Sequence, residues 1–212
     1  MKVFLRFLLL ATGFVLAAPA FSTAVLYTDR TAFLAATTGD TNIDFNGIAA
    51  PGSFVGYGAG PLSLSGVTFT GNGSMFVLDP GYYGFPYGGG GFLNSDYAGP
   101  NVITATLPSG VTAVGIDYGS LFSGGATFDI TLSTGDSFKF STGGSTADDN
   151  LGFAGVVSTI PFASIVFTMP DSPGYNAIDN FTFAQTAVPE PASLLLLGVG
   201  LAGMLAGVRR RQ

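Results

Sequence analysis

The chain has 212 residues, thirteen acidic against seven basic, a net charge of −6, and neither His nor Cys. That composition excludes disulfides, thiolate and imidazole metal sites, and any Ser-His-Asp or Cys-His nucleophile. Between the two apolar ends the balance is sharper still, with twelve Asp set against Arg30 and Lys139 alone. So acidic a domain excludes nucleic acid as a partner, because phosphate backbones need basic patches. It is compatible with divalent cations, and equally with the solubility needs of a secreted domain.

In chain order, residues 1–24 read as a secretory signal peptide. Lys2 and Arg6 form its basic start and residues 7–17 its apolar run. Ala18-Pro19-Ala20 and Ser22-Thr23-Ala24 each offer small residues to signal peptidase. Cleavage after Ala24 is preferred, with Ala20 as the alternative. Residues 28–39 predict one short helix, capped by Asp29 and ended by Gly39, with Phe33 and Leu34 facing the core.

From there the chain reads as strands, at 41–45, 61–70, 74–78, 101–107, 112–118, 126–132, 137–141, 151–157, 163–169 and 177–183, separated by Gly, Pro, Asn, Ser or Asp. The clearest unit is a hairpin. Phe128, Ile130 and Leu132 alternate with polar residues, a four-residue turn follows, and Phe138 and Phe140 alternate in the same way. The pattern predicts an all-β, antiparallel β-sandwich over residues 25–184, jelly-roll-like, with an open barrel or another sandwich topology as alternatives. Residues 79–100 are too rich in Gly and Pro for a regular element and predict a long loop on the rim.

Three sets of residues invite a chemical reading. The first is the aromatic loop, with Tyr82, Tyr83, Phe85, Tyr87, Phe92 and Tyr97 among glycines. Such rings either stack on the faces of sugars or pack on their own scaffold. The second is Asp44 with Asp179 and Asn180. Pairing of the first and last strands would bring these oxygens together, and Ca²⁺ wants six to eight oxygen ligands. The third is a pair of carboxylates for glycoside cleavage, for which Asp117 and Asp129 are candidates on neighbouring strands. Asp148-Asp149-Asn150 lacks the alternate spacing of a calcium loop and reads as a turn. No G-x-S-x-G, P-loop or zincin motif is present.

The C-terminal end is the most specific stretch. Pro189-Glu190-Pro191 closes a linker at 185–191. An uncharged run rich in Leu, Gly and Ala follows over 192–208, and then the basic tail 209–212 with Arg209, Arg210 and Arg211. As a helix the apolar run spans about 25 Å, at the short end for a transmembrane helix. The arginines stop it at the cytoplasmic side, leaving the rest of the chain outside. Pro189 and Pro191 hold Glu190 extended, where an enzyme can grip it.

In these features the tail resembles the PEP-CTERM sorting signal of Gram-negative bacteria. The resemblance implies recognition by an exosortase, a membrane-embedded transpeptidase, with removal of the helix. Members of that group are typically surface or matrix proteins of bacteria that make exopolysaccharide. The segment AIDNFTF (177–183) also resembles the last strand of carbohydrate-binding-module-like jelly-rolls, some of which hold a structural Ca²⁺ near their termini. The reading that results is an exported, non-enzymatic structural or adhesive protein of the cell surface or biofilm matrix, inner-membrane-anchored before processing. A glycan-binding module, Ca²⁺-assisted or not, is the alternative, and a polysaccharide-cleaving enzyme stands third.

Overall fold

The computed structural model describes residues 23–82, 90–95, 100–120, 127–141, 152–169 and 176–186. The expected signal peptide up to residue 22, the expected membrane helix 192–208 with the rest of the chain from 187, and Asp148-Asp149-Asn150 lie outside these residues. Among the described residues no helix is long and apolar enough to cross a membrane.

The architecture is all-β and antiparallel, in two facing sheets. One sheet has the order β1 (Ala24–Tyr27), β12 (Gly152–Ser158), β9 (Ala113–Ser120), β14 (Asn176–Thr186), β7 (Phe92–Ser95), β6 (Met75–Leu78) and β3 (Phe54–Gly58), with β2 (Thr37–Ile43) also on β14. The other runs β11 (Ser137–Ser141), β10 (Thr127–Leu132), β13 (Ser164–Met169), β8 (Asn101–Thr106), β5 (Val67–Gly71) and β4 (Leu62–Leu64). From β8 to β14, five of six connections cross from one sheet to the other, as a double-layered sandwich requires and a meander does not.

The core fills the space between the sheets. Phe128 and Phe167 from one sheet meet Ile116, Val156 and Phe181 from the other, all essentially buried. Phe181 stands nearly perpendicular to Phe69 and Phe167, with ring centroids 5.1 and 6.2 Å away, the edge-to-face contact aromatic quadrupoles favour. The β10–β11 hairpin forms in the expected register, with Phe128 opposite Phe140 and Ile130 opposite Phe138. Gly135 supplies the positive φ of its turn.

Several expectations are corrected. The helix, α1, spans only Arg30–Ala35. Asp29 caps it, accepting from the Ala32 N–H at 2.8 Å, but Gly39 lies within β2 and does not end it. Thr37 and Thr38 are better matched to a ladder than to a third helical turn, and they pair with Thr186 and Gln185. Phe33 is buried as expected, whereas Leu34 is 39% exposed, because a six-residue helix presents too narrow a face to bury both. The run 61–70 is two strands joined at Ser65 and Gly66, both at positive φ, the backbone of a two-residue hairpin turn. The Gly-rich stretches hide two strands: β3, and β7 inside the expected rim loop, all four of whose residues are buried. β14 reaches Thr186, two residues into the expected linker. β1 begins at Ala24, and Thr159 donates its N–H to the Thr23 carbonyl at 3.3 Å. Signal-peptide cleavage after Ala20 therefore leaves this strand whole, and cleavage after Ala24 trims it.

Helix α1 docks on the outer face of the larger sheet through Phe33. The ring lies over Gly115 and Gly155, which are cross-strand partners. A Cβ on Gly155 would come within 2.5 Å of Phe33, so glycine is there to let the ring approach the backbone. Gly155→Ala should destabilise the domain by about 1–3 kcal/mol, read as a lower urea midpoint. An unchanged midpoint would show that α1 is not held by this contact.

Candidate functional site

The polar centre of the molecule lies on the outer face of the larger sheet, between α1 and β14. β14 carries it. Its first residues pair with β7 and its last with β2, on the same edge, and the register against β9 shifts between Asp179 and Thr182. Asn180 absorbs the extra residue at φ 47, a left-handed conformation that Asn tolerates better than most side chains. The bulge turns both Asp179 and Thr182 to the outer face while Ile178 and Phe181 stay in the core.

Asp179 stands directly opposite Asp117 of β9. Two like charges so placed repel, and Arg30 answers them from the first residue of α1. Its guanidinium lies 2.8 Å from Asp117 Oδ1. It also donates to Thr182 Oγ1 at 3.1 Å and to the Asn180 carbonyl at 3.4 Å, and it stacks over Phe153 at 4.7 Å. Asn180 Nδ2 bridges the acids, donating to Asp117 Oδ2 at 2.9 Å and to Asp179 Oδ2 at 3.3 Å. Thr182 donates to Asn42 Oδ1 at 2.9 Å, and Asn42 to Asn180 Oδ1 at 3.3 Å. An open depression of about 470 Å³ lies here, lined by Arg30, Asp40, Asn42, Asp117, Asn180 and Thr182 among others.

Asp179 itself is only 1% exposed. Burial pushes its carboxyl up to about 7. The Asn180 backbone N–H, 2.6 Å from Oδ1, works against that shift; Asp117 and Asp44 add to it, and Arg30 opposes it. At neutral pH the group is therefore near the midpoint of its titration, beside Asp117, which has its own cation.

Pairing of β2 with β14 does bring Asp44 toward Asp179 and Asn180, as expected, since Ile43 stands opposite Phe181. The strand responsible is the second, not the first, which pairs with β12. Asp44 is exposed and accepts from the Asn46 N–H at 3.1 Å. Among the described residues no group of three or more Asp or Glu could hold a metal ion. The proposed acid pair is also rearranged. Asp117 and Asp129 lie in different sheets, and Asp129 faces Lys139 across the hairpin at 3.3 Å. Alternation alone could not reveal this, because β9 and β10 are consecutive in sequence yet in separate layers. Arg30 and Asp117 are the site residues that sequence reasoning did not bring together. The signal available was scarcity, since a domain with two basic side chains and twelve acids must pair each cation carefully.

Of the aromatic loop, Tyr82 and Phe92 are described, whereas Tyr83, Phe85, Tyr87 and Tyr97 lie outside the described residues. Phe92 is a buried strand residue packed with Leu78 and Ala177, so it offers no ring to a ligand. Tyr82 is 41% exposed and meets Phe54 edge to face, with centroids 5.0 Å apart.

The site yields two expectations. Asp179 is ordinary in the unfolded chain, at 3.8, and about 7 in the folded one. Between those values the folded state holds a proton that the unfolded state has lost. Its contribution to stability is therefore complete below pH 4, declines as pH rises toward 7 and is gone above. Asp179→Asn should flatten that decline in a melting series from pH 5 to 8 and be the more stable form at pH 8; parallel curves would contradict the assignment. Arg30→Met should cost about 2 kcal/mol by leaving Asp117 unpaired, and Asp117→Asn in the same chain should restore most of it in urea titrations.

Residues 187–211 match the PEP-CTERM protein-sorting motif. No curated protein matches the chain. Among solved structures the chain is similar to the K2 cleaved adhesin domain of Lys-gingipain, 16% identical over 69% of this chain and 100% of that one, with a TM-score of 0.43. It is similar to the CBM35 of Abf62 from Cellvibrio japonicus at 17% identity over 64% and 95%, TM-score 0.40. It is also similar to a family 35 carbohydrate binding module from Clostridium thermocellum, at 17% identity over 63% and 99%, TM-score 0.40. The chain carries the PEP-CTERM sorting signal of an exosortase substrate at residues 187–211, the mark of an exported surface protein that is processed at the membrane.

Proposed function

We propose that this protein is a non-enzymatic structural or adhesive component of the cell surface or extracellular matrix, associated with exopolysaccharide. The observation that carries the reading is the sorting motif at 187–211. In it Pro189, Glu190 and Pro191 are the substrate of another enzyme and Arg209–Arg211 stop the membrane helix. The precursor passes through the secretion machinery and signal peptidase, is anchored in the inner membrane by residues 192–208, and reaches the surface once exosortase has acted. The folded part, 25–184 with the end of β14, is a jelly-roll-like sandwich and the cargo of that route.

Two features support the non-enzymatic part of the reading. Asp179, the acid of the only cross-strand Asp pair among the described residues, is 1% exposed and out of a substrate's reach. Asp117 is committed to Arg30 and Asn180. A glycosidase needs both carboxyls flanking the scissile bond.

A glycan-binding module is the second reading, favoured by the exposed rings of Phe54 and Tyr82. Its calcium-assisted form would place Ca²⁺ at Asp44, Asp179 and Asn180. Arg30 already donates to the Asn180 carbonyl, so the ion would have to compete with a guanidinium for that oxygen and sit beside its positive charge. That donor set does not fit Ca²⁺ with Arg30 in place. Melting with and without EDTA decides it: an EDTA-indifferent melt removes calcium, and a lowered one that Asp179→Asn makes indifferent would install it.

The sorting reading has its own test. In a Gram-negative host that carries an exosortase, replacing Pro189, Glu190 and Pro191 by Ala should keep the chain in the membrane fraction at unprocessed mass and deplete it from the surface and matrix. Undiminished surface delivery would overturn it.

A further inference from the structure

We infer that Phe54, Phe76 and Tyr82 form a stacking platform for a neutral polysaccharide. The inference rests on the exopolysaccharide-associated reading above and gives it a place on the molecule. Among the described residues four large hydrophobic side chains are exposed, and two of them, Phe54 at 43% and Tyr82 at 41%, belong to this one patch. Phe54 opens the edge strand β3. Phe76 is half-buried on β6, and its ring lies against Gly56, its neighbour across the ladder, 3.5 Å from where a Cβ would stand. Phe54 stands 78° to Phe76 and 73° to Tyr82, with centroids 5.5 and 5.0 Å away. Despite these contacts Phe54 and Tyr82 keep 43% and 41% of their surface exposed, and the apolar C–H faces of pyranose rings suit aromatic side chains.

The platform is held before any ligand arrives. Asp79 accepts from the Gly52 N–H at 2.8 Å and from the Gly81 N–H at 3.0 Å, both at Oδ1. Its own N–H donates to the Ser53 carbonyl at 3.0 Å, and its carbonyl accepts from the Tyr82 N–H at 2.9 Å. One residue thus ties the turn that precedes Phe54 to the turn that carries Tyr82. A site whose rings are fixed in advance loses less entropy on binding.

Size and charge select the occupant. Three partly exposed rings offer about 200–300 Å², well short of the roughly 800 Å² per partner that a stable protein interface buries. A sugar or two fills such an area. Both basic side chains among the described residues are paired with carboxylates, and the chain is net −6. Uronate or sulfate groups would meet repulsion with no cation to answer them, and so would nucleic-acid phosphates. The polymer is therefore neutral.

The test is affinity electrophoresis of the full chain in detergent micelles, through native gels containing hydroxyethylcellulose, xylan, galactan, dextran or alginate. Retardation is expected in at least one neutral gel and not in alginate. Phe54→Ala and Tyr82→Ala should each weaken it about tenfold, with a cooperative melt retained to show that the variants are folded. Asp79→Ala should weaken it as well, and Asp79→Asn, which keeps the accepting oxygen, should restore it. Retardation in a neutral gel that survives the ring variants overturns the platform and leaves the exopolysaccharide reading standing. No retardation in any neutral gel overturns both. Retardation by alginate alone overturns the neutral ligand. A dimer in sedimentation that Phe54→Ala converts to monomer would reassign the patch to a second copy of this chain.

Discussion

β14 has to satisfy two neighbours along one edge, and much of the structure follows from how it does so. The strand lies inside the larger sheet, against β9 on one side and against β7 and then β2 on the other. Neither β7 nor β2 is long enough to cover it alone. Asn180 sits at the handover, and its left-handed backbone lets the strand change partners without leaving the ladder. A β-branched residue there would meet the steric cost of positive φ. The shift that keeps Phe181 in the core also sets Asp179 against Asp117, so the bulge that solves the packing problem creates the electrostatic one.

The electrostatic problem is met with little material. With two basic residues for twelve acids in the domain, general neutralisation is not available. The two cations stand against two of the acids that strands hold in register, Arg30 at Asp117 and Lys139 at Asp129. Arg30 is the stronger arrangement, because its planar fork reaches a carboxylate, a hydroxyl and a carbonyl while its face lies on Phe153. Phe33 makes this possible by fixing α1 over the two glycines. The second acid, Asp179, is left without a dedicated cation, and burial pushes its carboxyl up to about 7. The outer face of the sheet is thereby divided into a helix-covered end, a polar middle around an open depression, and an aromatic end at β3 and β6 where Phe54 is exposed.

The sequence shows its strands where polar and apolar residues alternate, and hides them where glycine replaces the pattern. Phe128-Asp129-Ile130-Thr131-Leu132 was readable because one face is buried and the other wet. Phe92-Leu93-Asn94-Ser95 was not, since a strand with both faces covered has no period of two and here follows a run of glycines. Phe54-Val55-Gly56-Tyr57-Gly58 failed for the opposite reason, as an edge strand with an exposed apolar residue looks like a loop. The site was half legible. Asp44, Asp179 and Asn180 could be gathered from the ends of the domain by supposing that terminal strands pair. Arg30 could not, because its position depends on where a six-residue helix docks. Phe54 and Phe76 could not either, because nothing local marks which of 20 phenylalanines face outward.

The end of β14 links the fold to its destination. The strand continues to Thr186, whose hydroxyl donates to the Ser158 carbonyl at 2.9 Å and to Thr112 Oγ1 at 2.7 Å, and the sorting motif starts at the next residue. Whatever is joined to the C-terminal side pulls on a strand held by ladders on both edges, and all of these must shear together before it yields. A tether at β1, paired only to β12, would peel away one hydrogen bond at a time. Under the adhesive role proposed above, an attachment point inside the sheet is the sturdier of the two.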